Sequence, residues 1–468
     1  MRYNAQTMQL VNEIYRLSRR RTVFFTCADR KDGAGAQILA HLSVQLLSRA
    51  LGVTYAHSPF KKLDHQDAGG GGGKWEQRWE QLFELGKGHI EAAAIEAQCE
   101  VVKLHKKAVL MPELDPVSTR PILFKLHSAH FFADLLADHY YYLTQPLHLY
   151  LNKPAAAGPA GIVDIAVHIR RGDLVTRNIE YRIVTDAEVL AMLSTVKQVL
   201  DAAGRRYRVS LYSEGKEADF AEELKRGAGL YLDHDAQWTF LQLARSDVLI
   251  CTKSAFSHVA GLVGNAWVIC PEFWHTLPSR WLSYAAISAD QGGLERIAQA
   301  GQGYEVGEPH FAEDLRPRPV GAAVGGGKLR IHVVKSGETK IKAKHYYDHY
   351  GTRTKSTLTA TWIHHRKVNS RCFARYRIDA DLDALRSLKL LYRAQAEVDA
   401  LVLFNGKIVG GSEWFTQRAA TEDLPAEKFS WTLPRTVELK AGVNSLSIIA
   451  ISALPELAQF RLSSVQAE

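Results

Sequence analysis

The string His168-Ile169-Arg170-Arg171-Gly172-Asp173 puts an imidazole, two adjacent guanidinium groups and a carboxylate within six residues. It follows an apolar run, 161–167, that reads as a buried parallel strand. Such a strand delivers these groups to its C-terminal end, where ligands bind in open α/β sheets. Paired arginines suit a diphosphate, because the planar fork donates bidentately and stays charged. The alternative is a strand end capped by surface ion pairs.

A second group of residues has related chemistry. Gly33-Ala34-Gly35-Ala36-Gln37 is a small-residue turn between a strand and a helix, able to present backbone N–H groups to a ligand or simply to turn tightly. Downstream, the buried run 248–252 enters Lys253-Ser254-Ala255-Phe256, a hydroxyl-bearing helix start suited either to a phosphate or to ordinary capping. Thr252 closes that strand. Tyr212-Ser213-Glu214-Gly215 ends another strand. His57, within Tyr55-Ala56-His57-Ser58-Pro59-Phe60, and the nearby His65 are placed to meet an acceptor hydroxyl or to be hydrogen-bonded within the fold. Asp233-His234-Asp235 is an Asp-x-Asp able in principle to hold a divalent cation. A metal-free site is preferred, since the arginines already supply positive charge.

Elements that position these groups can be read from periodicity. Residues 8–20 and 38–51 carry helical spacing, and 22–27 is a β-branched and aromatic strand. Residues 75–85 suggest a short amphipathic helix and 122–151 a largely helical segment. Strands at 208–212, 248–252 and 266–270 alternate with a helix at 218–225, the rhythm of a doubly wound parallel sheet. The glycine run 69–73 reads as a loop. Residues 154–159 and 321–327 have linker composition. Beyond them the pattern becomes β-only, with Asn405-Gly406 as a hairpin signal. The expected architecture is α/β: two Rossmann-like domains followed by an all-β sandwich. The boundaries are 1–158 and 159–320 for the two α/β domains and 328–468 for a sandwich that binds glycans or serves assembly. Trp362, Trp414, Phe415 and Trp431 are sugar-stacking or core aromatics there.

The 468-residue chain is too long for one core. A net charge of +8 favours anionic partners. Five scattered cysteines, without metal-like spacing, fit a reducing cytoplasm. No apolar run is long enough to span a bilayer, which leaves peripheral membrane association as the one membrane role.

His-x-Arg-Arg-x-Asp resembles the nucleotide-sugar motif of the fucosyltransferases that make α1,2 and α1,6 linkages, and of the protein O-fucosyltransferases. The Gly-x-Gly-x-Gln turn and the block 244–257 are similar to stretches of the same group, so the resemblance covers residues 20–300. It implies a GT-B type fold, with 1–158 on the acceptor side and 159–320 binding the nucleotide sugar, and metal-independent, inverting transfer of fucose from GDP-fucose to a glycan or lipid-linked saccharide. No cofactor and no nucleic acid are expected. By this resemblance His168, Arg171, Gly33, Gly35, Gln37, Glu214, Thr252, Ser254, Ala255 and Phe256 bind donor. Arg170 carries catalysis with Glu180 or Asp173 as candidate bases, and His57 and His65 stand on the acceptor side. Gly215 departs from the family pattern, and Thr239 stands near where the family often has a guanine-holding acid. The alternatives are a non-catalytic glycan- or nucleotide-sugar-binding protein, or a transferase using another donor.

Overall fold

The computed structural model describes residues 5–64, 74–105, 114, 118–140, 143–144, 161–176, 179–264, 266–278, 281–285, 287, 291–300 and, beyond 331, segments as far as 465. His65, the glycine run and both linkers lie outside the described residues.

The first unit contains α1 (Ala5–Ser18), β1 (Val23–Cys27), α2 (Ala34–Leu51), β2 (Thr54–His57), α3 (Trp75–Phe83), β3 (Ile90–Glu91), β4 (Glu100–His105) and β5 (Ile122–His127). Its five strands are parallel, in the order β3-β2-β1-β5-β4. β5 is a correction: residues 122–127 form a strand beside β1, not the start of a helix. The apolar run Ile122-Leu123-Phe124 is buried on both faces, so it lacks the alternation that marks a half-exposed strand.

The second unit contains β6 (Ile162–Ile169), α4 (Asp186–Ala202), β7 (Arg206–Ser213), β8 (Ala228–Leu232), α5 (Ala236–Arg245), β9 (Val248–Ile250), α6 (Ala255–Val263), β10 (Trp267–Cys270) and β11 (Leu282–Ser283). All six strands are parallel, in the order β8-β7-β6-β9-β10-β11. Counted from β6 this is the Rossmann order. The chain runs outward from β6 to β8, crosses back through α5, and resumes at β9 on the other side of β6. The switch point therefore lies between β6 and β9. Along β6, Val163, Ile165, Val167 and Ile169 pack against Val189, Leu193, Val196 and Leu200 of α4. Ala166 faces the opposite layer with Phe240 and Leu243 of α5. By period-2 alternation His168 shares that second face. α4 begins at a capping box between Thr185 and Glu188. The 218–225 segment holds only a 3-10 turn, Glu217–Asp219, and one helical turn, Glu222–Lys225.

From residue 332 onward the described elements are strands, apart from one 3-10 turn, in two sheets. Antiparallel pairing dominates, with one parallel pair between His332–Val334 and Cys372–Ala380. Tyr376, Ile378, Val402 and Ile448 of one sheet meet Leu388, Leu390, Phe460 and Leu462 of the other in a common core. In Ala400–Phe404 every residue is buried. Val402 and Phe404 face that core, whereas Leu401 and Leu403, with Ile449, join the core of the first unit beside Leu10, Val11 and Ile14. Asn12 donates to Ser412 Oγ (3.1 Å) and accepts from the Ser412 N–H (3.2 Å). Trp414 and Phe415 are core residues, with Trp414 Nε1 donating to Leu433 O.

Candidate functional site at the facing sheet edges

In both units the helix following a strand starts at the C-terminal edge of a parallel sheet, and here two such starts touch. A Cβ placed on Gly35 would lie 2.5 Å from Phe256 Cα and 2.6 Å from its N. Gly35 sits in the first turn of the 18-residue α2, Phe256 in the first turn of α6. Gly35 thus permits backbone-to-backbone approach of the two units. Each first turn has N–H groups without intrahelical partners and the positive end of a helix dipole. Trp79 of α3 meets Phe240 and Phe256 edge-on, and Arg78 pairs with Asp235, fastening the same junction.

Arg170 stands at the switch point. Its backbone N–H donates to Thr252 Oγ1 at 3.0 Å, stitching the end of β6 to the end of β9. Its guanidinium donates through Nε (3.1 Å) and Nη2 (2.8 Å) to the two oxygens of Asp173. Asp173 therefore orients Arg170, and a carboxylate engaged through both oxygens is a poor proton acceptor. His168 lies 5.6 Å from the Phe256 ring, with a buried Nδ1 that has no partner. Burial, reinforced by Arg170, pushes its pKa down to about 3, so the imidazole is neutral. Glu180 is exposed on a 3-10 turn, Glu180–Arg182, beside Lys253, whose Nζ donates to Tyr181 O.

Several expected ligand contacts have partners inside the fold. Arg171 donates to Val184 O and Asp186, and Asp186 also accepts the Ala221 N–H; this guanidinium braces the start of α4. Buried Gln37 donates to Asp32 O and Lys62 O, tying two loops together. Gly33 precedes α2 as its N-cap residue. Ser254 caps α6 through the Phe256 N–H, and Ala255 is buried beneath it. Glu214 occupies the space that Gly172 leaves open. His57 is buried between Glu80, at 3.2 Å from Nε2, and the Tyr55 hydroxyl, at 2.9 Å from Nδ1; that hydroxyl also bonds His41 Nδ1 at 2.8 Å. With both nitrogens engaged, His57 is not open to an acceptor hydroxyl. Asp235 caps α5 through the Trp238 N–H, and Asp233 accepts the Gly215 N–H. Among the described residues no group of three or more His, Cys, Asp or Glu is arranged to hold a metal ion. None of their helices is long and apolar enough to cross a membrane. Sequence reasoning overlooked Tyr181, Arg182 and Trp274 at the rim; only the proximity of the first two to the Arg-Arg motif could have flagged them.

No protein-family model and no curated protein matches the chain. Partial similarity to solved structures exists. A GH26-CBM35 β-(1,4)-mannanase from Podospora anserina is 16% identical over 29% of this chain and 29% of that one, with a TM-score of 0.23. A family 35 carbohydrate-binding module from Clostridium thermocellum is 12% identical over 28% of this chain and all of that one, also at 0.23. A family 6 carbohydrate-binding module gives 12%, 30%, 99% and 0.23. The chain thus spans under a third of the mannanase's length. TM-scores this low fix neither fold nor function.

Proposed function

We propose that the facing sheet edges bind a nucleoside-diphosphate sugar and that the chain is a glycosyltransferase of GT-B type. The observation that carries this reading is the convergence of two helix starts at Gly35 and Phe256 beside Arg170, at the switch point of a Rossmann-ordered sheet. Positive helix ends and a guanidinium in one place suit a diphosphate and the charge it gains on departure. By resemblance of its motif the donor is GDP-fucose. The acceptor, a glycan or lipid-linked saccharide, attacks the anomeric carbon through a hydroxyl oxygen. The bond from that carbon to the diphosphate breaks, GDP leaves with the electron pair, and the hydroxyl proton passes to a base. Exposed Glu180 has the freedom for this step that Asp173 lacks.

A second reading, a nucleotide-sugar-binding protein without turnover, is favoured by one observation. Arg171 braces α4, which leaves Arg170 alone of the pair for ligand.

Thermal unfolding with GDP, UDP, ADP and GDP-fucose tests donor binding. A ligand at a hundred times its Kd adds about 2.7 kcal/mol. Stabilisation by GDP and GDP-fucose alone supports the donor, and no shift with any nucleotide overturns the reading. Arg170→Ala should abolish transfer and weaken the GDP shift. Unchanged turnover in that variant would refute its role.

A further inference from the structure

Tyr181 is the most exposed large apolar side chain among the described residues, at 76% of its full accessibility. Val175, four residues after Arg171, is 58% exposed. Both side chains stand on the stretch of chain that follows β6. The segment is nonetheless held firmly. Lys253 Nζ donates to the Tyr181 carbonyl at 3.3 Å, anchoring it over the turn that follows β9. The Arg182 guanidinium lies 5.5 Å from the Tyr181 ring and 4.8 Å from the Trp274 ring, so three flat groups are stacked. Trp274 belongs to the loop after β10, whereas Tyr181 and Arg182 follow β6. The stack therefore bridges the switch-point crevice above β9. Arg182 Nε is buried and has no hydrogen-bond partner. A guanidinium N–H withdrawn from water without an acceptor costs on the order of 1–3 kcal/mol. Closed to water, this Nε is closed to a ligand as well, so a ligand would be met through the terminal Nη groups of Arg182.

Resting on the glycosyltransferase reading, we propose that Tyr181, Arg182 and Trp274 form the acceptor subsite, and that its occupant is a pyranose ring. The ring lies against the exposed face of Tyr181, where aliphatic C–H groups of a sugar meet an aromatic surface. Arg182 donates to an oxygen substituent of that ring, and a carboxylate there gives the stronger, charge-assisted bond. The subsite adjoins both Glu180, by sequence, and Arg170, across the Lys253 turn, so a hydroxyl of the bound sugar is delivered toward the donor.

The test is saturation-transfer NMR on the full chain with GDP present, using methyl glycosides of glucose, galactose, fucose and glucuronic acid as probes. Wild-type protein should saturate at least one probe, with glucuronide the strongest. Tyr181→Ala and Arg182→Gln should each reduce that signal at least fivefold while leaving the GDP-induced thermal shift unchanged. Retained saccharide signal in both variants, or no signal with any probe in a wild-type protein that GDP stabilises, overturns the subsite. Absence of GDP stabilisation in the wild type would instead remove the reading on which it rests. Arg182→Lys separates the two features: it keeps the charge but loses the planar stack, and should recover less than half of the signal.

Discussion

Replacing Gly35 by alanine inserts a single methyl group where the two α/β units touch. That methyl carbon would lie 2.5 Å from Phe256 Cα, while ordinary contacts begin near 3.4 Å, so the helix starts must part by about 1 Å. Its neighbours are backbone atoms of Ala255 and Phe256, which no rotamer change can clear. Overpacking of this kind costs roughly 1–3 kcal/mol. Alanine's better helix propensity returns at most about 1 kcal/mol. The net expectation is a loss of about 1 kcal/mol in urea unfolding. Binding should suffer more, because a shift of about 1 Å takes backbone donors out of hydrogen-bond range of one phosphate and can cost up to about a hundredfold. The assay is calorimetric titration with GDP beside the unfolding curve. Gly52→Ala serves as the control, since Gly52 has a positive φ of 66° and nothing within 4 Å of a Cβ. It should lose about 1–2 kcal/mol through backbone strain alone and still bind GDP. If Gly35→Ala binds GDP as tightly as wild type, the converging helix starts are not the nucleotide site.

Arg171→Leu should destabilise the fold by about 3 kcal/mol, because Asp186 is left half-buried with only the Ala221 N–H; loss of GDP binding at unchanged urea midpoint would instead make Arg171 a ligand contact. Acid should weaken the first unit from pH 6.5 downward. Burial and the neighbouring His57 push buried His41 down to about 3, so below pH 6.5 the unfolded state takes up a proton that the folded state refuses. Stability is therefore full above 6.5 and falls by about 1.4 kcal/mol per pH unit below it, about 2 kcal/mol by pH 5. His168 adds to the same window. Glu80 acts at lower pH: burial alone would raise its pKa, but hydrogen bonds from His57 and the Phe60 N–H outweigh it and hold it low, so its contribution disappears as pH falls through that lowered value. Unfolding at pH 7 and pH 5 checks this, with His41→Phe expected to flatten the profile; a wild-type protein equally stable at both would contradict it.

Local pattern made much of the fold legible. β1 and α2 followed from β-branched and aromatic residues and from helical spacing, and Asn405-Gly406 does form the hairpin turn, with positive φ at both residues. β5 was hidden because a strand covered on both faces has no alternation to read. In the site, residue types announced Arg170 at a strand end but not the partners of its neighbour Arg171. Whether an arginine faces ligand or protein depends on Val184 and Asp186, which only the tertiary fold brings near. Gly35 was visible as a small residue, yet the reason for it, the backbone of Phe256, lies over 200 residues away. The buried pairing of His57 with Glu80 was likewise invisible, since the two come from a strand end and a separate helix.

The bond from Asn12 to Ser412 joins residues 400 positions apart. α1 leaves the ribosome well before the strands of Leu401, Leu403 and Ile449, which share its core. At about 5–20 residues per second, synthesis of the intervening chain takes on the order of 20–80 seconds. Throughout that interval the part of this core that those strands close stays uncovered, the kind of surface that holding chaperones engage. The same arrangement makes those strands a check on synthesis: a chain ended before them by a nonsense codon would have every described α/β element yet leave that part of the core bare, marking it for degradation.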